Sequence, residues 1–258
     1  MSGKLYLVPT PIGNLGDLTY RAAEVLRSCD AVLAEDTRVS ARLLQHYEIR
    51  TPLGGLHGLL APSAGSITWA GLESFHQYNE HKRLENVLQR LEKGAVLCLV
   101  SDAGTPGISD PGFLLARACR ERGIACECLP GATAFVPALV QSGFPIHSFV
   151  FHGFLPQKKG RDKMLRQLLS DERTQVLYES PYRLLKLLEA LQTLAPERPV
   201  SVSRELSKLH EETRNGLPHE LADHYRKQVP KGEIVVVIAS LAVLRTDATE
   251  EEEEDTRP

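Results

Sequence analysis

Short apolar runs alternate along this chain with longer stretches in which apolar side chains return at helical spacing. That alternation predicts buried strands joined by amphipathic helices, an α/β architecture whose sheet is largely parallel in at least its first half. Lys4–Val8 reads as a strand, Thr19–Ser28 as a helix with Ala22, Val25, Leu26 and Cys29 on one face, Ala31–Ala34 as a buried strand and Val39–Tyr47 as a helix. Phe75–Glu80 leads into a helix ending near Lys93; helical spacing there would put His76, Asn79 and Glu80 on one face. Strand Val96–Val100, helix Leu114–Arg122 and strand Ala125–Leu129 follow, and Pro130–Thr133 caps a helix that ends near Gln141. Beyond it come strand Phe149–Gly153, helix Arg161–Leu169, strand Thr174–Tyr178, helix Tyr182–Leu194, strand Val200–Ser203, helix Pro218–Tyr225 and strand Glu233–Ala239. The expected division is an α/β domain over 1–128, a second over 129–241, and a tail over 242–258.

Two stretches break the rhythm. Ile49–Glu73, rich in Gly and Pro and holding the only Trp, reads as a long loop or flap. Ser101–Gly112 joins a strand to a helix with three glycines and two prolines, and Asp110-Pro111 reads as an N-cap followed by proline at the first helical position. Such a loop is either a ligand-binding βα loop or a stiff connector.

Composition narrows the class. At 258 residues and 42% hydrophobic the chain can bury a substantial core, no apolar run approaches the roughly 20 residues that span a bilayer, and the N-terminus lacks a signal-peptide pattern. The cytoplasm is the expected location, with no membrane partner. Cys98 and Cys126 fall in expected strands and read as small buried hydrophobes, and Cys126-x-Cys128 makes a poor zinc site, so no metal is expected. The net charge of −3 becomes +3 once the six carboxylates of Glu250–Asp255 are set aside. The body is mildly basic, and Thr246–Pro258 reads as a solvated tail or, alternatively, an interaction segment.

The glycine loops match neither the dinucleotide fingerprint nor the P-loop. Small residues instead recur at Pro11-x-Gly13, Asp102-Ala103-Gly104, Pro130-Gly131-Ala132 and Lys231-Gly232-Glu233, four loops that could line one cleft for a neutral-to-zwitterionic ligand. These segments, with Leu7–Leu15, Glu35-Asp36-Thr37-Arg38, Ser101–Pro106, Gly153-Phe154-Leu155-Pro156 and Tyr178-Glu179-Ser180, resemble the bacterial small-subunit rRNA (cytidine-2'-O)-methyltransferase family of the tetrapyrrole-methylase superfamily. The resemblance runs from Lys4 to about Ala239. It implies two α/β domains of tetrapyrrole-methylase type with S-adenosyl-L-methionine in the cleft between them, a homodimer, and methylation of a ribose 2'-hydroxyl on a cytidine of 16S rRNA in the small ribosomal subunit.

Carried over, the resemblance places Pro11, Gly13, Asp102, Ala103, Gly104, Pro106, Pro130, Gly131, Ala132, Tyr178, Glu179, Ser180 and Gly232 around the cofactor. Methyl transfer from a sulfonium needs donor and acceptor held in line, and a base to take the hydroxyl proton. His76 is the expected base, with Asp36 or Glu80 as orienting or alternative bases; His76 reads equally as a helix-start residue or an RNA contact. Lys158, Lys159 and Arg161, with Lys163 and Arg166, form the densest basic patch, and Arg38, Asn79, Arg204, Lys208 and Arg214 are further candidate RNA contacts. A basic helix start is also commonly a solvated face. The rival readings are a superfamily enzyme acting on a tetrapyrrole or a modified histidine, and a cofactor-binding RNA module without turnover.

Overall fold

The computed structural model describes residues 3–49, 71–241 and 243. Most of the Ile49–Glu73 loop and the acidic tail lie outside the described residues. The chain clusters into two compact units, Met1–Thr133 and Ala134–Pro258.

In the first unit, β1 (Lys4–Leu7), β2 (Ala31–Ala34), β3 (Leu72–Ser74), β4 (Val96–Val100) and β5 (Ala125–Cys128) form one sheet in the order β3-β2-β4-β1-β5, every pair parallel. The central strands are apolar on both sides because helices cover both faces. One face packs against α3 (Glu80–Glu92) and α4 (Phe113–Glu121), with Leu5, Leu33, Leu97 and Leu99 meeting Leu88, Leu91 and Leu115. The other packs against α1 (Tyr20–Ser28) and α2 (Thr37–His46), with Val32, Cys98 and Val100 meeting Ala22, Leu26 and Leu44. The chain after β4 therefore leaves toward one face while the chains after its neighbours β2 and β1 leave toward the other, the arrangement that opens a crevice at the carboxyl ends of the strands.

Local boundaries follow cap chemistry. Thr19 caps α1 through its hydroxyl, which accepts from Ala22 N at 3.1 Å, and Asp36 caps α2, accepting from Arg38 N at 2.8 Å. The expected Asp110-Pro111 cap is corrected: α4 starts two residues later, with Gly112 as its N-cap at φ 129°, where a Cβ would sit 2.7 Å from Leu99 Cδ2. Tertiary packing, and not local capping chemistry, sets that boundary. Pro130–Thr133 likewise precedes its helix without capping it, because α5 (Phe135–Gln141) has Ala134 as its N-cap residue. Cys98 is buried as expected, but Cys126 is exposed, since β5 is the sheet's edge strand. β3 begins at the end of the stretch expected to be loop and runs one residue past it.

The second unit holds a mixed sheet of β6 (Phe149–Phe154), β7 (Thr174–Glu179), β8 (Val200–Arg204), β9 (Glu212–Gly216) and β10 (Ile234–Ile238) in the order β6-β7-β10-β8-β9. Only β6 and β7 pair parallel; the rest is antiparallel, and β9, whose sequence ETRNG is polar, gives no apolar signal. Leucines of α7 (Pro181–Leu194) close over β7, β8 and β10, joined by α6 (Arg161–Leu169) and α8 (Pro218–Lys227). Arg198, fully buried, donates to the backbone carbonyls of Ala239 at 2.5 Å, Leu169 at 3.0 Å, Asp171 at 3.2 Å and Arg173 at 3.0 Å. Four carbonyls satisfy a cation that would otherwise be costly to bury, and they fix the loop between α6 and β7.

Candidate functional site

Because the first sheet is wholly parallel, the segments after all its strands emerge along one edge. Ser101, buried at the end of β4, donates from Oγ to Gly104 O at 3.0 Å. Thr10, after β1, donates from Oγ1 to Ser101 O at 3.1 Å. Thr10 and Gly104 also exchange backbone bonds, both 2.9 Å, so the two loops form a short antiparallel clamp. Thr105 Oγ1 donates to Ala132 O at 3.0 Å, tying in the loop after β5, where a Cβ on Gly131 would sit 2.6 Å from Pro9 Cβ. Pro11, Gly13, Ala103, Gly104, Pro106, Pro130, Gly131 and Ala132 are thus brought to one interlocked rim. Ala103 N–H donates to no group among the described residues.

Carboxylates gather at the same rim. Asp102 Oδ1 accepts from Asp36 N at 3.0 Å, bridging the ends of β4 and β2. Burial, and then the Asp36 charge, push the Asp102 carboxyl up, and burial and the Asp102 charge do the same to Glu35. Nearby His76 partly offsets the rise at Glu35. Asp36 differs: the Arg38 guanidinium and the helix-start amide hold its carboxyl at about 2. Asp36 therefore acts as a helix cap clamped by an arginine whose side chain is 86% exposed, and at that value it is a weak proton acceptor. Glu35, which sequence reasoning passed over as part of a motif, is the rim's partly buried carboxylate; its only local sign was an acid immediately after an all-apolar strand.

His76 follows β3. Its amide donates to Asn79 Oδ1 at 2.8 Å, and its carbonyl accepts from Asn79 N and Glu80 N, both at 2.9 Å, so the three residues do share one turn at the start of α3. The ring Nδ1 accepts from Tyr78 N at 3.2 Å. In the neutral ring the proton then sits on Nε2, and His76 presents a donor. Asn79 locks this turn, its amide group engaging His76 N, Ser74 O at 3.3 Å and Ser74 Oγ at 3.4 Å.

In the second unit Tyr178, the penultimate residue of β7, stands in an aromatic group, its ring 5.0 Å from Phe151 and 5.6 Å from Phe154. Glu179, buried beside it, accepts from Arg161 Nη2 at 2.6 Å and Ser180 N at 2.7 Å, and pairs with Arg183 Nε at 2.9 Å. Ser180 caps α7, accepting from Tyr182 N at 3.3 Å. Arg161 is corrected as an RNA contact: its side chain is 7% exposed, and its charge serves Glu179. Arg204 is partly exposed and pairs with Glu212 at 2.5 Å, while Lys208 pairs with Glu205 at 2.9 Å and Glu233 at 3.1 Å, and Arg214 pairs with Glu212. Lys158, Lys159, Lys163 and Arg166 form no ion pair among the described residues and are exposed, so the patch is real but narrower than expected. Gly232 takes φ 86°, a left-handed backbone conformation that favours glycine, beside the Glu205 side chain.

Among the described residues no cluster of His, Cys, Asp or Glu could hold a metal ion, and no helix is long and apolar enough to cross a membrane. The family model for tetrapyrrole (corrin/porphyrin) methylases matches residues 4–222. A Synechocystis protein called ribosomal RNA small subunit methyltransferase I is 46% identical over 92% of this chain and 79% of its own length. One of the same name from Thermotoga maritima is 41% identical over 92% of this chain and 98% of its own. Among solved structures, uroporphyrin-III-C-methyltransferase from Thermus thermophilus superposes with a TM-score of 0.56 at 23% identity, covering 95% of this chain and 98% of that one. A cobalt precorrin-4 methyltransferase superposes with a TM-score of 0.58 at 16% identity over 92% of this chain and 94% of its own. These two likenesses establish the fold.

Proposed function

This chain belongs to the tetrapyrrole (corrin/porphyrin) methylase family, and from that premise we propose that it is an S-adenosyl-L-methionine-dependent methyltransferase of small-subunit ribosomal RNA. In the finer form of this reading the acceptor is the ribose 2'-hydroxyl of a cytidine in 16S rRNA, and the enzyme works as a homodimer in the cytoplasm.

The observation that carries the reading is the acidic rim of the first unit. Glu35 and Asp102 are partly buried and both carboxyls are pushed up, each first by burial and then by a neighbouring carboxylate, Asp102 for Glu35 and Asp36 for Asp102, so a ligand bearing positive charge would relieve them. That donor set fits S-adenosyl-L-methionine, which carries a sulfonium and an ammonium. When bound, the cofactor supplies an electrophilic methyl group. Asp102 and the Ala103 amide hold it, and the Thr10–Gly104 clamp keeps their geometry fixed, so that the rate comes chiefly from alignment. Tyr178 and Ser180 stay proposed as cofactor residues of the second unit, with Glu179 acting behind them.

Glu35 is the better proton acceptor for the 2'-hydroxyl than Asp36, since a carboxylate held at about 2 is too weak a base. His76, with its proton on Nε2, orients or donates toward Glu35 or the ribose, and Glu80 sits beside it in the first turn of α3. Lys158, Lys159 and the exposed Arg38 remain the candidate phosphate contacts.

The test is transfer of label from radioactive S-adenosyl-L-methionine to small ribosomal subunits from a strain lacking this enzyme, followed by nucleoside analysis for 2'-O-methylcytidine. Absence of label in the RNA, or label in a tetrapyrrole offered in competition, overturns the reading.

A further inference from the structure

The second unit carries a pocket of about 460 Å³ between β6, α6 and the loop entering β7, whose lining does not include Tyr178 or Ser180. Its volume lies within the roughly 300–1,000 Å³ of small-molecule sites. Val150, Met164 and Leu168 supply an apolar wall.

The polar side is built with fixed orientation. Gln175 is fully buried; its Nε2 donates to Arg173 O at 2.6 Å, which leaves Oε1 to accept from His152 Nε2 at 2.7 Å. In the neutral His152 ring, Nδ1 is then left as the acceptor. Gln167 adds an amide with both donor and acceptor. Asp171 holds the Arg173 guanidinium at 2.6 and 3.0 Å, presenting a flat, charge-compensated plane on the lining. The buried Arg198 grips the carbonyls of Leu169, Asp171 and Arg173, so this side is rigid before anything binds. Gly160 and Lys163 belong both to the pocket and to the basic patch, which makes the two continuous.

An apolar wall, planar hydrogen-bonding groups of both senses, Lys163 on the lining and Lys158 and Lys159 just before lining residue Gly160 match one chemistry: an unstacked nucleobase on its ribose-phosphate strand. We propose that this pocket receives one unpaired base of the RNA substrate, while Lys158, Lys159 and Lys163 hold the phosphates flanking it. The proposal rests on the rRNA reading above and adds to it a base-reading subsite, where the patch alone would recognise only charge.

The experiment uses the full chain and fluorescence anisotropy with a labelled single-stranded RNA dodecamer, its abasic ribose-phosphate counterpart of equal length, and inorganic phosphate as competitor. Wild type should bind the RNA roughly five- to a hundredfold tighter than the abasic strand. Gln167→Trp, which fills the pocket from an exposed helix position, should erase most of that preference with its thermal midpoint near wild type, and His152→Ala should do the same with a lowered midpoint, because it leaves the buried Gln175 Oε1 without its donor. Lys163→Ala should weaken both strands alike. Folded variants that keep the full preference overturn the pocket, as does displacement of the RNA by inorganic phosphate with equal effect on both strands. If wild type still methylates small subunits in either case, the rRNA reading stands and only the subsite falls; if it does not, that reading has failed.

Discussion

Arg161→Met separates a structural arginine from a phosphate contact. Arg161 opens α6 within a lysine-rich run, yet its guanidinium lies 2.6 Å from Glu179 with side-chain exposures of 7% and 1%. Removing one partner of a buried pair leaves the other charge uncompensated, typically at about 3–5 kcal/mol. Here Arg183 and the Ser180 amide still serve Glu179, which places the loss near the lower end, about 3 kcal/mol. For a chain of this size that is a fall in thermal midpoint of roughly 6–12 °C. Scanning calorimetry of wild type, Arg161→Met and Lys158→Ala makes the comparison, since the exposed Lys158 should cost no more than about 0.5 kcal/mol. An Arg161→Met protein melting within about 2 °C of wild type but losing RNA affinity as Lys158→Ala does would refute the assignment.

Asp102→Asn should weaken S-adenosyl-L-methionine binding at least tenfold by calorimetry without lowering the thermal midpoint at pH 7, because the asparagine oxygen can still accept from Asp36 N and the repulsion with Glu35 is removed; unchanged affinity would take Asp102 out of the site. The sign follows from the shift: a carboxyl raised in the folded state opposes folding when ionised, and that opposition fades as pH falls through the raised value. Asp36 has the opposite sign. Its carboxyl is depressed to about 2, so the stability it contributes is complete above the ordinary aspartate value of 3.8 and is lost as pH falls from there toward 2; Asp36→Asn should flatten the acid limb of a pH–melting curve over that window, and an unaltered limb would contradict it.

The αβ rhythm was legible because parallel strands covered on both faces must be apolar throughout, as in Val96–Val100, and because helices such as Arg161–Leu169 repeat at their own period. β9 was not, since a polar edge strand carries no such signal, and the start of α4 was misread because Gly112 answers to Leu99, a residue distant in sequence. The motif residues after β1, β4 and β5 could be named individually from the chain. That Thr10 and Gly104 lock together, and that Asp102 reaches the Asp36 amide, required the strands to be placed side by side.

The sequence by itself determined the fold class, the family resemblance and the stretches that carry chemistry, because apolar periodicity and loop composition are local properties. Only the tertiary structure decided which charges are available. Arg161, Arg204 and Lys208 look alike in sequence to Lys158 and Lys159, but each of the three has met a carboxylate brought to it by folding, whereas the two lysines stand free of ion pairs among the described residues. The same holds for Glu35 and Asp36, adjacent acids driven to opposite proton affinities, one by burial beside Asp102 and the other by Arg38. A charge's function depends on its partners and its solvent, and both are assigned by packing.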